Sequence, residues 1–119
     1  MLTAPHRLRD SESFRTAVRR GRRAGSRTVV VHLLDPGSDI GVDGSVVPAR
    51  VGFVVSKAVG HAATRNLVKR RLRHLARERV SSLPGSAVLV VRALPEAATA
   101  GYAELGADLD RCLQRVEGR

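Results

Sequence analysis

A chain of 119 residues that is 43% hydrophobic can fold as one domain, 1–119, with a modest core, and with only 3% aromatic residues that core must be Val, Leu and Ala. The formal net charge of +10 points to a polyanionic partner. The single cysteine, Cys112, excludes an internal disulfide or a cysteine-based zinc site, and no apolar run approaches the ~20 residues that span a bilayer.

The basic charge is uneven. Residues 1–80 hold 17 Lys or Arg against 6 Asp or Glu, and residues 81–119 hold 4 against 5. Only Lys57 and Lys69 are lysines. Arginine makes bidentate phosphate contacts and stacks on bases, a bias that favours RNA, although a GC-rich genome gives the same bias. No signal-peptide pattern opens the chain, so it reads as a soluble cytoplasmic protein with no membrane role.

Along the chain, Asp10 or Ser11 caps a helix that runs to about Arg20 and is closed by Gly21. Phe14, Ala17 and Val18 share one face of it. Arg22–Ser26 is a basic connection or a short extra strand. Thr28–Leu34, TVVVHLL, is strongly β-branched and reads as a strand, with His32 on the pleat face of Thr28 and Val30. Asp35–Pro48 reads as a long loop, and Arg50–Ser56 as the next strand. These two strands are expected to pair antiparallel around the loop.

A helix is expected from Ala62 to Arg79, after Lys57-Ala-Val-Gly60. Seven of the fifteen residues from Arg65 to Arg79 are Lys or Arg. At about 100° per residue, Arg65, Asn66, Lys69, Arg70, Arg73 and Arg77 share one broad arc, while Val68, Leu72 and Leu75 fall on another. Such a helix docks on a core through one face and offers the other to phosphates. A solvated surface helix usually alternates charge signs, and here only Glu78 is acidic. Pro84-Gly85 marks a turn. Ala87–Leu94, AVLVVRAL, reads as a strand buried on both faces. Tyr102 to about Val116 is a final amphipathic helix with Leu105, Leu109, Cys112, Leu113 and Val116 on its apolar stripe. The order indicates an α/β sandwich.

The histidines at 6, 32, 61 and 74 lack metal-ligand spacing, and the carboxylates are scattered, with Asp108 and Asp110 pointing in different directions. Phosphodiester chemistry on this chain alone is not expected.

Lys57-Ala-Val-Gly60, Ala63-Thr-Arg65-Asn66 and Lys69-Arg70-Arg71-Leu72-Arg73 closely resemble the signature of the bacterial ribonuclease P protein subunit. RLRDSESFRTAVRRGRR resembles that family's first helix, RVGFVVSK the strand before the signature, and YAELGADLDRCL the last helix. The resemblance implies an α/β two-layer sandwich with a four-stranded mixed sheet, about three helices and a left-handed β-α-β crossover through the basic helix. Right-handed crossovers are the strong default, so the residues alone would not suggest this. It implies a catalytic RNA partner that, with bound Mg²⁺, removes the 5′ leader of precursor tRNA. It assigns Lys57, Arg65, Asn66, Lys69, Arg70 and Arg73 to the catalytic RNA, and Phe14, Val18, Arg27 and His32 to the leader. No catalytic residue or protein-held metal is implied.

The chain departs from the family pattern at Leu67, where Arg is usual, at His61, where Asn is common, and at Val18 and His32, where an aromatic is common. Arg71 is a candidate to replace the interaction missing at Leu67. A ribosomal or other structural RNA-binding protein shares the charge and the helix but would not select a leader. A standalone nuclease would need clustered carboxylates.

Overall fold

The computed structural model describes residues 11–35 and 48–117. Three helices and four strands follow in the order α1 (Ser11–Arg20), β1 (Arg22–Gly25), β2 (Val29–Leu34), β3 (Arg50–Val54), α2 (Ala62–Arg79), β4 (Val88–Ala93) and α3 (Tyr102–Glu117). The expected helix bounds hold at both ends of α2. Arg22–Gly25 is a true strand. Most of the expected Asp35–Pro48 loop, and Asp10 as a cap, lie outside the described residues.

The sheet is mixed, with strand order β1-β2-β4-β3. The expected antiparallel pair of β2 and β3 does not form. β4 lies between them, antiparallel to β2 and parallel to β3. The reason is burial. Val88, Leu89, Val90 and Val91 are all 4% exposed or less, whereas three of the five β3 residues are only half-buried. The strand that is apolar on both faces takes the interior position, and the half-polar one goes to the edge. A parallel neighbour needs a crossover of a dozen residues or more, and α2 supplies it.

The two faces of the sheet are covered by different helices. On one, Val29, Val31, Leu33, Leu89 and Val91 join Val68, Leu72 and Leu75 of α2 and Leu105, Leu109 and Leu113 of α3 in the main core. Cys112 lies in this core, and burial pushes its thiol pKa up. On the other, Ala17 of α1 packs on Val88 and Val90, with Phe14, Val18, Leu34 and Val54 around them. Aliphatic residues thus build the interior, as the scarcity of aromatics requires.

One face assignment differs from expectation. Thr28 does not share a face with His32. Its hydroxyl donates to Asp108 Oδ2 on α3, on the main-core side, at 2.6 Å. Regular strand geometry begins only at Val29, so the alternation that fixes His32 does not extend back to Thr28.

Candidate RNA interface

The segment entering α2 is locally constrained. Lys57–Val59 forms one 3-10 turn, closed by a bond from the Gly60 N–H to the Lys57 carbonyl at 3.1 Å. Gly60 has φ +150°, and a Cβ there would lie 3.2 Å from the Thr64 side chain. Glycine is what this backbone admits. His61 occupies the N-cap of α2 without a side-chain capping bond. The helix is anchored by Val68, Leu72, Leu75 and Ala76, all at most 3% exposed.

That anchoring leaves the adjoining basic arc facing outward. Lys57, Asn66, Arg70 and Arg77 are exposed, and Arg65, Lys69 and Arg73 are half-buried. Among the described residues, Arg65, Lys69, Arg70, Arg73 and Arg77 take part in no salt bridge. Arg65 also holds its Nε buried without a hydrogen-bond partner. Their charge remains available to an external anion, and a row of guanidinium groups on one rigid helix suits phosphates along a nucleic-acid backbone.

Two other arginines of α2 are engaged in the fold. Arg71 donates from Nη1 to the Ala100 carbonyl at 3.1 Å. Arg79 bonds Asp110 of α3 through Nε at 2.5 Å and the Leu75 carbonyl through Nη1 at 2.8 Å. Asp110 raises the Arg79 pKa, and Arg79 lowers that of Asp110. Arg71 is therefore committed to packing and is not a free replacement for the arginine missing at Leu67.

The second grouping lies on the α1 side of the sheet. Strand register places Arg23, His32, Val90 and Gly52 in one row across the four strands. The row two residues along holds Gly25, Val30, Arg92 and Val54. Phe14 and Val18 are half-buried over Val88 and Val90. Three of the four residues expected at a leader site, Phe14, Val18 and His32, thus belong to one side of the sheet. Arg27 does not join them. Its guanidinium binds the Glu104 carboxylate of α3, on the other side, and this bond raises its pKa.

His32 is 5% exposed, and among the described residues its buried Nδ1 has no hydrogen-bond partner. Burial lowers its pKa, and the cations Arg92 and Arg23 lower it further. A neutral imidazole flanked by two guanidinium groups offers one stacking or hydrogen-bonding group between two phosphate-binding groups. The residue pattern alone does not single out Arg23 and Arg92 as neighbours of His32. The one available signal was a charged residue interrupting an apolar strand, as Arg92 does in AVLVVRAL.

Among the described residues, no three His, Cys, Asp or Glu side chains come together to hold a metal. None of the described helices is long and apolar enough to cross a membrane.

Known proteins share this chain's family and fold. A family model described as Ribonuclease P matches residues 2–117. A ribonuclease P protein component from Nocardioides is 69% identical over 116 residues, covering 98% of this chain and 95% of its own. One from Streptomyces avermitilis is 57% identical over 119 residues, covering 99% and 97%. Among solved structures, the RNase P protein of Thermotoga maritima superimposes with a TM-score of 0.74 at 25% identity, over 94% of this chain and 98% of that one. The Staphylococcus aureus RNase P protein shares the fold, with a TM-score of 0.75 at 22% identity over 92% of this chain and 94% of that one. Matches that run from one end of the chain to the other, on a fold shared with solved members, establish that it belongs to the ribonuclease P protein family.

Proposed function

We propose that this chain works in the cytoplasm as the protein subunit of a ribonucleoprotein that removes the 5′ leader from precursor tRNA. The observation that carries this reading is the arc of α2 whose cations take part in no salt bridge among the described residues. Lys57, Arg65, Asn66, Lys69, Arg70 and Arg73 bind the catalytic RNA through phosphates. Phe14, Val18 and His32 hold the single-stranded leader on the α1 side of the sheet, with Arg23 and Arg92 beside His32.

The chain supplies binding and orientation in this division of labour. Magnesium belongs to the RNA, where it supplies the hydrolytic chemistry. Neutralising phosphates on both RNAs lets two polyanions approach, so the protein's effect is greatest when magnesium is scarce.

The test is reconstitution. The protein is mixed with a bacterial ribonuclease P RNA at low Mg²⁺, and cleavage of precursor tRNA is followed. Faster cleavage at the mature 5′ end than with the RNA alone is expected. Equal rates with and without the protein refute the reading. Cleavage by highly purified RNA-free protein refutes the assignment of catalysis to the RNA.

A further inference from the structure

We propose a third RNA-binding surface, resting on the reading above: the arginines gathered where α1 meets the edge strand β1 bind phosphates of the leader upstream of the part held under α1. Arg19 and Arg20 end α1, and Arg22 and Arg23 open β1. All four are exposed, and among the described residues none takes part in a salt bridge. The single residue between the pairs, Gly21, is held tightly. Its N–H donates to the Ala17 carbonyl at 2.9 Å, and a Cβ there would lie 2.4 Å from that carbonyl oxygen and 2.8 Å from that of Leu33. The turn therefore fixes the end of α1 against β2 and sets Arg19 and Arg20 at the start of the edge strand.

The position follows from topology. β3 leads directly into the segment that starts α2, so the catalytic-RNA helix is entered from the β3 edge. β1 is the opposite edge, three strand spacings or about 14 Å away. A leader coming from the catalytic RNA and crossing the α1 side of the sheet reaches His32 and its cross-strand neighbour Arg23, then runs out over β1. Beyond Arg23 come Arg19 and Arg20, while Arg22, paired with Leu33, turns to the α3 side of the sheet. Arg22 already gives one Nη1 to the Val116 carbonyl at 3.1 Å, so Arg19 and Arg20 are the arginines whose removal disturbs the fold least. Binding of this kind reads the backbone and not the bases, so the surface takes any single-stranded polynucleotide long enough to reach it.

The experiment uses the reconstituted holoenzyme and three ligands: mature tRNA, precursor tRNA with a leader that ends within the cleft, and precursor tRNA with a leader that extends past β1. Wild type is compared with Arg19→Ala/Arg20→Ala and with Arg19→Lys/Arg20→Lys. The alanine variant is expected to lose roughly tenfold in affinity for the long leader alone. Its salt slope for that ligand should fall by about 1.4, at ~0.7 per phosphate on a single strand. The short leader, mature tRNA and assembly with the catalytic RNA should be unchanged, and the lysine variant should retain most long-leader affinity. An equal loss on all three ligands, weakened assembly with the catalytic RNA, or no loss on the long leader overturns the proposal. Wild type failing to prefer the short-leader precursor over mature tRNA instead removes the leader reading itself, and this proposal with it.

Discussion

Thr28 and Asp108 form a buried hydrogen bond between the residue that precedes β2 and the middle of α3, with the two residues 0% and 2% exposed. The other Asp108 oxygen accepts from Arg111, one turn along α3. It is a fully buried polar contact in a mainly aliphatic interface, and it ties α3 to the start of β2.

Asp108→Ala should therefore destabilise the protein by about 1–3 kcal/mol or more, because the Thr28 hydroxyl is left buried without a partner. Thr28→Val combined with Asp108→Ala should recover part of that loss. Urea denaturation of the two variants and wild type measures it. A double variant no better than Asp108→Ala would show that the bond is incidental.

The arginines of α2 should separate into two classes. Arg73→Ala should weaken assembly with the catalytic RNA and reduce the salt slope by about 1 for the phosphate it no longer neutralises, with little change in Tm. Arg79→Ala should lower Tm, since it removes the bonds to Asp110 and the Leu75 carbonyl. Salt-dependent binding and thermal melts of both variants distinguish the classes. The reverse pattern would mean that the roles are exchanged.

His32 gives stability a dependence on pH. Its folded-state pKa lies below the ordinary 6.5, through burial first and then the charges of Arg92 and Arg23. The unfolded chain binds the proton more readily, so the contribution is full above about 6.5 and is lost as pH falls through 6.5 towards the folded value. His32→Phe should flatten that part of the profile. Urea midpoints between neutral and mildly acidic pH check it, and identical slopes for wild type and variant would exclude His32 as the source.

Phe14 is half-buried over Val88 and Val90, so it has both a packing role and an open side. Phe14→Ala should cost less than the ~3–5 kcal/mol of a fully buried Phe. In the assembled holoenzyme it should lower affinity for precursor tRNA about tenfold, as stacking on one aromatic is worth ~1–3 kcal/mol per base, and leave mature tRNA nearly unchanged. Equal losses on the two tRNA forms would remove Phe14 from the leader site.

The sequence by itself determined whatever depends on neighbours within one element. The bounds of α2, its apolar side at Val68, Leu72 and Leu75, and the separate basic arc from Arg65 to Arg77 all follow from a 3.6-residue period, and the structure keeps them. The same period groups Phe14, Ala17 and Val18, and the signature around Gly60 identifies the family. The tertiary structure alone decided the strand order. Local pattern gives β2 and β3 no reason to part, but Val88, Leu89, Val90 and Val91 of β4 are apolar residues buried on both faces, and they take the interior position between them. It also decided which cations are free. Arg27, Arg71 and Arg79 look like Arg70 or Arg73 in the sequence, yet their partners Glu104, Ala100 and Asp110 lie 77, 29 and 31 residues away and meet them only once the sheet is assembled. His32 likewise acquires Arg23 and Arg92 as neighbours through strand register, because cross-strand neighbours are set by which strands pair and not by position along the chain.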